Sequence, residues 1–328
     1  MNSSRLVLFA LALLALLALC ANPLQACDSC RCSLGDPEAG GAAGLTSGSS
    51  SEQYRWAADL SYHYKNWDRV QAHHALAVND TAGRATHAVL DEWTASLRLS
   101  YAVRPDLELG LTQGYRHVRQ INAVDPLFAG AHEFSKGFDD LRFDLNWRFM
   151  KQREGGFPVD LSLFGEAKFP TGGTTERGVS ARIDAEQQPG SGSWDGTLGL
   201  TVSRRWTRWG ASGALGYTLK TEGTQDYKAG DVFRAGASGS YRLSPDGWGA
   251  KLWLNLGVQA IFENKARFDG EKDPNHGGQT LFVIPGLAVQ PLDRLLFSAS
   301  LQAPLYQELN GYHQEEDFSV QIGTRVRF

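Results

Sequence analysis

From Trp56 onwards the chain repeats a single pattern: apolar and polar residues alternate with a period of two, in segments of about ten to thirteen residues. Trp56, Ala58, Leu60, Tyr62 and Tyr64 alternate with Ala57, Asp59, Ser61 and His63. Leu97, Leu99, Tyr101 and Val103 alternate with Arg98 and Ser100, and Leu141, Phe143, Leu145, Trp147 and Phe149 with Arg142, Asp144, Asn146 and Arg148. In an extended strand this spacing puts large apolar groups on one face and charge on the other. Twelve such segments can be counted, the last ending at Phe328. A helix needs a period of 3.6, so the pattern predicts an all-β chain.

The connections alternate as well. Short turns near Arg104 to Asp106, Lys151 to Phe157, Thr207 and Arg208, Ser244 to Gly247, and Pro291 to Asp293 interleave with long polar loops near 65–89, 120–137, 170–193, 221–230, 264–278 and 306–315. Both termini fall on the short-turn side. An even number of antiparallel strands with short turns at one end and long loops at the other is the plan of a transmembrane up-and-down barrel of bacterial outer-membrane type. A soluble barrel of twelve strands would need its interior filled by apolar side chains, and Leu and Phe are too few to fill one so wide. With the apolar face towards lipid, the wet interior receives Arg98, Glu108, Arg142, Asp144, Asp160, Lys168 and Arg234, the candidate lumen-lining residues, without burying unpaired charge. Trp56, Trp93, Trp147, Trp206, Trp209 and Trp248 stand near strand ends, where an interfacial girdle is expected.

The N-terminus supplies the compartment. Arg5 precedes an apolar run from Leu6 to Cys20, then Asn22-Pro23 and small Ala26, which reads as a secretory signal peptide over 1–26. Residues 27–51 form a Gly/Ser/Ala-rich periplasmic tether carrying Cys27, Cys30 and Cys32, and 52–328 the barrel. Three thiols this close fit a soft metal such as Zn or Cu(I), thiol exchange, or one disulfide with a thiol left over. Leu24 to Cys27 is also compatible with lipidation of Cys27. The sequence leaves these open, and implies no other cofactor.

Several classes are disfavoured. The formal net charge of -4 gives no bulk attraction for nucleic acid. Mean hydropathy is -0.31, and no apolar run after the signal approaches the roughly 18 residues of a spanning helix. His73, His74 and His87 could meet a metal in the first long loop, but adjacent histidines in a polar loop are more often simply solvated. The glycines of 171–174 and 190–192 precede no helix and so make no phosphate cradle. No Ser/His constellation emerges, and an enzyme is not expected.

Local stretches resemble a known family: Lys168-Phe169-Pro170-Thr171-Gly172 after a strand, Gly190-Ser191-Gly192-Ser193-Trp194-Asp195-Gly196 before the next, and Tyr217 ahead of a loop ending at Gly230-Asp231. Pro304-Leu305-Tyr306-Gln307, Asn310-Gly311 and a last strand ending in Phe328 complete the pattern. Over about 120–328 the chain resembles the outer-membrane family named for the meta-pathway of phenol degradation. The resemblance implies an outer-membrane barrel passing small, often hydrophobic or aromatic solutes, in contact with outer-membrane lipid. The rival expectation is a barrel that anchors or sheathes a periplasmic redox or metal partner through Cys27, Cys30 and Cys32.

Overall fold

The computed structural model describes residues 54–67, 69–70, 88–121, 131–152, 158–179, 181–311 and 314–328. The signal peptide, the tether with Cys27, Cys30 and Cys32, and His73, His74 and His87 lie outside them. The strands are β1 (Trp56–Asn66), β2 (Ala88–Arg104), β3 (Leu107–Ile121), β4 (His132–Phe138), β5 (Leu141–Met150), β6 (Asp160–Phe169) and β7 (Asp195–Arg205), then β8 (Trp209–Leu219), β9 (Val232–Arg242), β10 (Lys251–Glu263), β11 (Gly278–Leu292), β12 (Leu295–Leu309) and β13 (Phe318–Arg327).

Apart from β4 and β5, each strand pairs antiparallel with its sequence neighbours, and β1 pairs with β13, so the sheet closes on itself. β4 and β5 both lie along β3, its upper and lower parts respectively, and make one stave interrupted at Asp139 and Asp140. The result is a closed antiparallel barrel of twelve staves. Closure continues beyond the ladder, where the Trp56 amide donates to Phe328 O at 3.0 Å and the Phe328 amide to Trp56 O at 2.9 Å. Below β4, which has a ladder on its β3 side alone, every stave is paired on both sides, as a strand surrounded by lipid requires.

The burial pattern is inverted relative to a soluble protein. Leu60 is 59% exposed while its neighbour Asp59 is 6% exposed. The same holds around the wall: Leu97, Leu111, Leu198, Leu215 and Leu256 face out, and Glu108, Asn146, Ser212, Ser240 and Gln259 are buried inside. Alternation alone produces this, since successive side chains leave opposite faces of a strand. The outward apolar belt is exposed and fits a hydrocarbon solvent. Trp56, Trp147, Trp206, Trp209 and Trp248, all exposed, stand at the short-turn end.

One exception to the polar interior was not apparent from alternation. Val232, Ile261, Phe282 and Ile284 form a buried apolar cluster on the inner faces of β9, β10 and β11, and Trp253, Ala288 and Leu296 form a second below it on β10, β11 and β12. The Phe164 ring on β6 reaches over Gly199 and Gly216, where a Cβ at Gly216 would stand 3.1 Å from it.

Candidate functional site: the barrel interior

Among the described residues, buried charge on the inner wall includes a lower and an upper cluster. In the lower one, Asp59 faces Arg98 across the β1–β2 ladder and Arg325 across the β1–β13 ladder. Arg325 donates to both Asp59 oxygens, at 2.5 Å and 2.9 Å. Arg98 reaches three carboxylates: Asp144 at 2.6 Å, Glu108 at 2.8 Å and Asp59 at 3.4 Å. Its path to Asp144 crosses β3 over Gly110, where a Cβ would come within 2.6 Å of the guanidinium. Glycine there is the local sequence feature that lets the fork span three staves. Charge-assisted, bidentate contacts of this kind hold an arginine in one orientation.

The upper cluster is built by two sequence stretches that come together in space. Lys168, at the end of β6, lies 2.6 Å from Asp195 and 3.3 Å from Asp140, and donates to Ser193 Oγ at 3.2 Å and to Ser191 Oγ. Asp140, at the break between β4 and β5, also accepts from the amides of Gly172 and Ser191, both at 2.9 Å. It therefore ties together the two ends of the 170–193 connection. Gly172 and Gly190 pass so closely that a Cβ on either would come within 2.6 Å of the other's Cα. Only residues without a side chain permit this crossing.

Between those ends, the connection folds against the inner wall. Gln188 is fully buried, its amide donating to Ile183 O at 2.6 Å and Glu176 O at 3.0 Å. Arg116, inward-facing on β3 and paired with Glu92 at 3.0 Å, donates to the backbone oxygens of Glu186 and Gln188 at 3.0 Å and 2.7 Å. Glu133 on β4 accepts from the Val179 amide at 3.0 Å. These bonds satisfy backbone groups that an irregular segment inside a barrel would otherwise leave unpaired.

Two neighbouring loops close over it. Gln225 donates to Ile183 O at 3.0 Å, and Arg182 to Thr224 Oγ at 2.5 Å. Short strands Tyr227–Lys228, Arg267–Phe268 and Glu271–Lys272 pair with one another. His276 joins the loops, with Nε2 2.6 Å from Glu186 and Nδ1 3.0 Å from Asp273. Burial opposes the imidazolium charge, but the Glu186 and Asp273 carboxylates outweigh it and its pKa is raised to about 9.

Of the candidate lumen-lining residues, Arg98, Glu108 and Asp144 share the lower cluster, and Lys168 is the hub of the upper one. Arg142 lies 3.5 Å from Glu166. Asp160 pairs with Arg205 at 3.1 Å near the short-turn end. Arg234 donates to Thr218 Oγ at 3.3 Å, apart from both clusters. Sequence reasoning passed over Asp140, Arg116 and Gln188. The motif around Lys168 and the one around Asp195 were visible separately, and only the register of β6 against β7, which sets Lys168 opposite Asp195, joins them.

The family model described as MetA-pathway of phenol degradation matches residues 127–308. Among solved structures, the chain is similar to an outer-membrane channel from Pseudomonas putida F1, with a TM-score of 0.61 at 14% identity over 85% of this chain and 99% of that one. It also aligns with the porin NanC, with a TM-score of 0.47 at 9% identity over 83% and 100% of the two chains. The CymD monoaromatic hydrocarbon channel aligns with a TM-score of 0.42 at 9% identity over 84% and 89%. At these identities the first likeness is one of fold. No curated protein matches the chain.

Proposed function

Starting from the fact that the chain belongs to the MetA-pathway of phenol degradation family, we propose that it is an outer-membrane channel through which small, predominantly apolar or aromatic solutes cross by passive diffusion. The observation that carries this reading is the division of the inner wall. The β13, β1, β2, β3 and β5 side is lined by the Asp59, Arg98, Glu108, Asp144 and Arg325 network. The β9 to β12 side packs Val232, Ile261, Phe282, Ile284 and, lower down, Trp253 towards the interior, each of them buried.

An apolar strip on the inner wall suits a ring-shaped solute with one polar edge better than a hydrated ion, the solute reaching the strip as its buried side chains part to admit it. The charges are paired, so they orient such a solute without trapping it as a free ion would. The folded-in 170–193 segment narrows the path above and selects for small molecules. The strip supports an apolar solute class and does not distinguish one aromatic compound from another.

The test is transport in proteoliposomes. Full-length protein should speed the entry of a small phenolic compound more than that of a sugar of similar mass. Phe282→Asn together with Ile284→Thr should reduce that preference several-fold while leaving small-ion conductance in a planar bilayer within a factor of about two. Equal entry of sugar and phenol, or a preference unaffected by the double substitution, would count against an apolar solute.

A further inference from the structure

The short-turn end carries a feature that the channel reading does not use. Three times around its outer rim an arginine stands beside exposed aromatic rings. Arg55 donates to the Tyr101 hydroxyl at 3.4 Å, and the Tyr101 ring lies 4.7 Å from that of Trp56. The Arg204 guanidinium sits 4.9 Å from the centre of the Trp206 ring. The Arg208 backbone oxygen accepts from the Arg242 amide at 2.8 Å, beside Tyr241, whose ring is 4.5 Å from that of Trp209. Trp56, Trp206 and Trp209 belong to the outward-facing, lipid-side set.

Two carboxylates at this end are committed to other arginines. Asp160 takes Arg205 and the Gln152 amide, and Asp106 takes Arg104. Asp246 is shared by Arg208 and Arg242, two cations to one anion. Among the described residues, neither Arg55 nor Arg204 has a carboxylate within ion-pair distance. At the opposite end charges of both signs mix, the loops carrying Glu222, Asp226, Asp231, Asp269, Glu271 and Asp273 beside Lys220, Lys228, Lys265, Arg267 and Lys272. What sets the short-turn end apart is the pairing of arginine with outward tryptophans.

We infer that this rim is a binding surface for anionic phospholipids of the adjacent leaflet, each arginine and its aromatic neighbours forming a headgroup subsite. Indole and phenol rings settle at the level where hydrocarbon meets headgroups. An arginine whose stem lies along such a ring carries its guanidinium just beyond the apolar zone, at the depth of the lipid phosphate. Its planar fork suits a phosphate bidentately. A lipid with a neutral or anionic headgroup leaves the phosphate charge available. In phosphatidylcholine the ammonium on the same headgroup competes for it. A basic residue at an anionic surface contributes about 1 kcal/mol, which amounts to roughly fivefold in lipid preference at each subsite.

The inference rests on the reading of the chain as a membrane barrel, and the experiment separates the two. Full-length protein is folded into bilayers of phosphatidylcholine with a minority of phosphatidylglycerol, extracted in mild detergent, and the lipids that remain bound are counted by native mass spectrometry. A heat-modifiable electrophoretic band reports the folded barrel in every sample. Phosphatidylglycerol should be enriched roughly fivefold over its bulk share. The Arg55→Gln, Arg204→Gln, Arg208→Gln variant should return it to parity while keeping the band. Bulk-level phosphatidylglycerol around the native protein, or the same enrichment around the variant, overturns the inference. So does an outcome in which the substitutions leave lipid retention unchanged and abolish sedimentation with isolated peptidoglycan instead. Failure of the native protein to give a folded band in any bilayer would overturn the membrane reading itself.

Discussion

Arg98 concentrates the energetics of the lower cluster in one side chain. It is surrounded by Asp59, Glu108 and Asp144, and Arg325 offers a second cation to Asp59 alone. Removing one member of a buried ion cluster leaves the rest uncompensated, which costs more than the cluster's net contribution to stability. Arg98→Gln is expected to lower stability by about 3 kcal/mol, because Glu108 and Asp144 would then face each other across the path now filled by the guanidinium. The midpoint of urea unfolding in lipid vesicles measures it, and a midpoint unchanged from the native protein would show that water in the lumen already screens these carboxylates. Gly110 belongs to the same unit. Its missing side chain is the space through which Arg98 passes, so the glycine is explained by a neighbour on another strand.

At the scale of elements, the 170–193 connection behaves as part of the wall's interior and not as a solvated loop. Arg116, Glu133 and Asp140 grip it from three places on β3, β4 and the β4–β5 break, and His276 grips it from above through Glu186. The histidine makes this last grip dependent on pH. Its folded pKa of about 9 exceeds the ordinary value of 6.5, so the protonated form is the one the folded state favours. The stabilisation is therefore complete below about pH 6.5 and is lost as pH rises through about 9, a change worth about 3 kcal/mol. Amide exchange in 181–190 is expected to accelerate between pH 7 and 10 beyond the intrinsic chemical increase. In His276→Gln that extra acceleration should disappear, with exchange already fast at pH 7. Identical corrected profiles for the two proteins would show that Arg116 and Asp140 hold the segment unaided.

The whole molecule depends on a seam between the first and last strands. Asp59 and Arg325 are 266 residues apart in sequence and adjacent in the barrel, so the final closure is among its most non-local contacts. Phe328 contributes two backbone hydrogen bonds with Trp56 at the lower end of that seam. Deleting Phe328 is expected to reduce the recovered fraction of heat-modifiable, membrane-inserted protein several-fold, because closure then loses its terminal pair and an edge stays open to pairing with other chains. Quantifying the folded band in outer-membrane fractions checks this. Undiminished recovery would mean that the register set by Ala57 with Arg327 through Asn66 with Phe318 closes the seam without its last residue.

What the sequence by itself determined is what a strand encodes locally. The side chains of Leu60 and Asp59 leave opposite faces whatever the strand pairs with, so alternation was enough to name the lipid face, the polar face and the family of folds that accommodates both. The alternation of short turns and long loops set the parity of the strands and the sides of the membrane in the same way. Alternation is silent where both faces are apolar. Leu281-Phe282-Val283-Ile284 is such a run, and Phe282 and Ile284 of the inner strip lie within it. Only the tertiary structure decided which charges meet. Arg98 joins Asp144 because three staves come into one register, and Lys168 meets Asp140 and Asp195 because two distant turns converge on one point of the wall. The course of the 170–193 segment belongs to the same class. Its glycines read as turn residues, but the groups that draw it inwards, Arg116 and Glu133, lie on strands elsewhere in the sequence. Their position relative to the segment follows from the closure of the barrel.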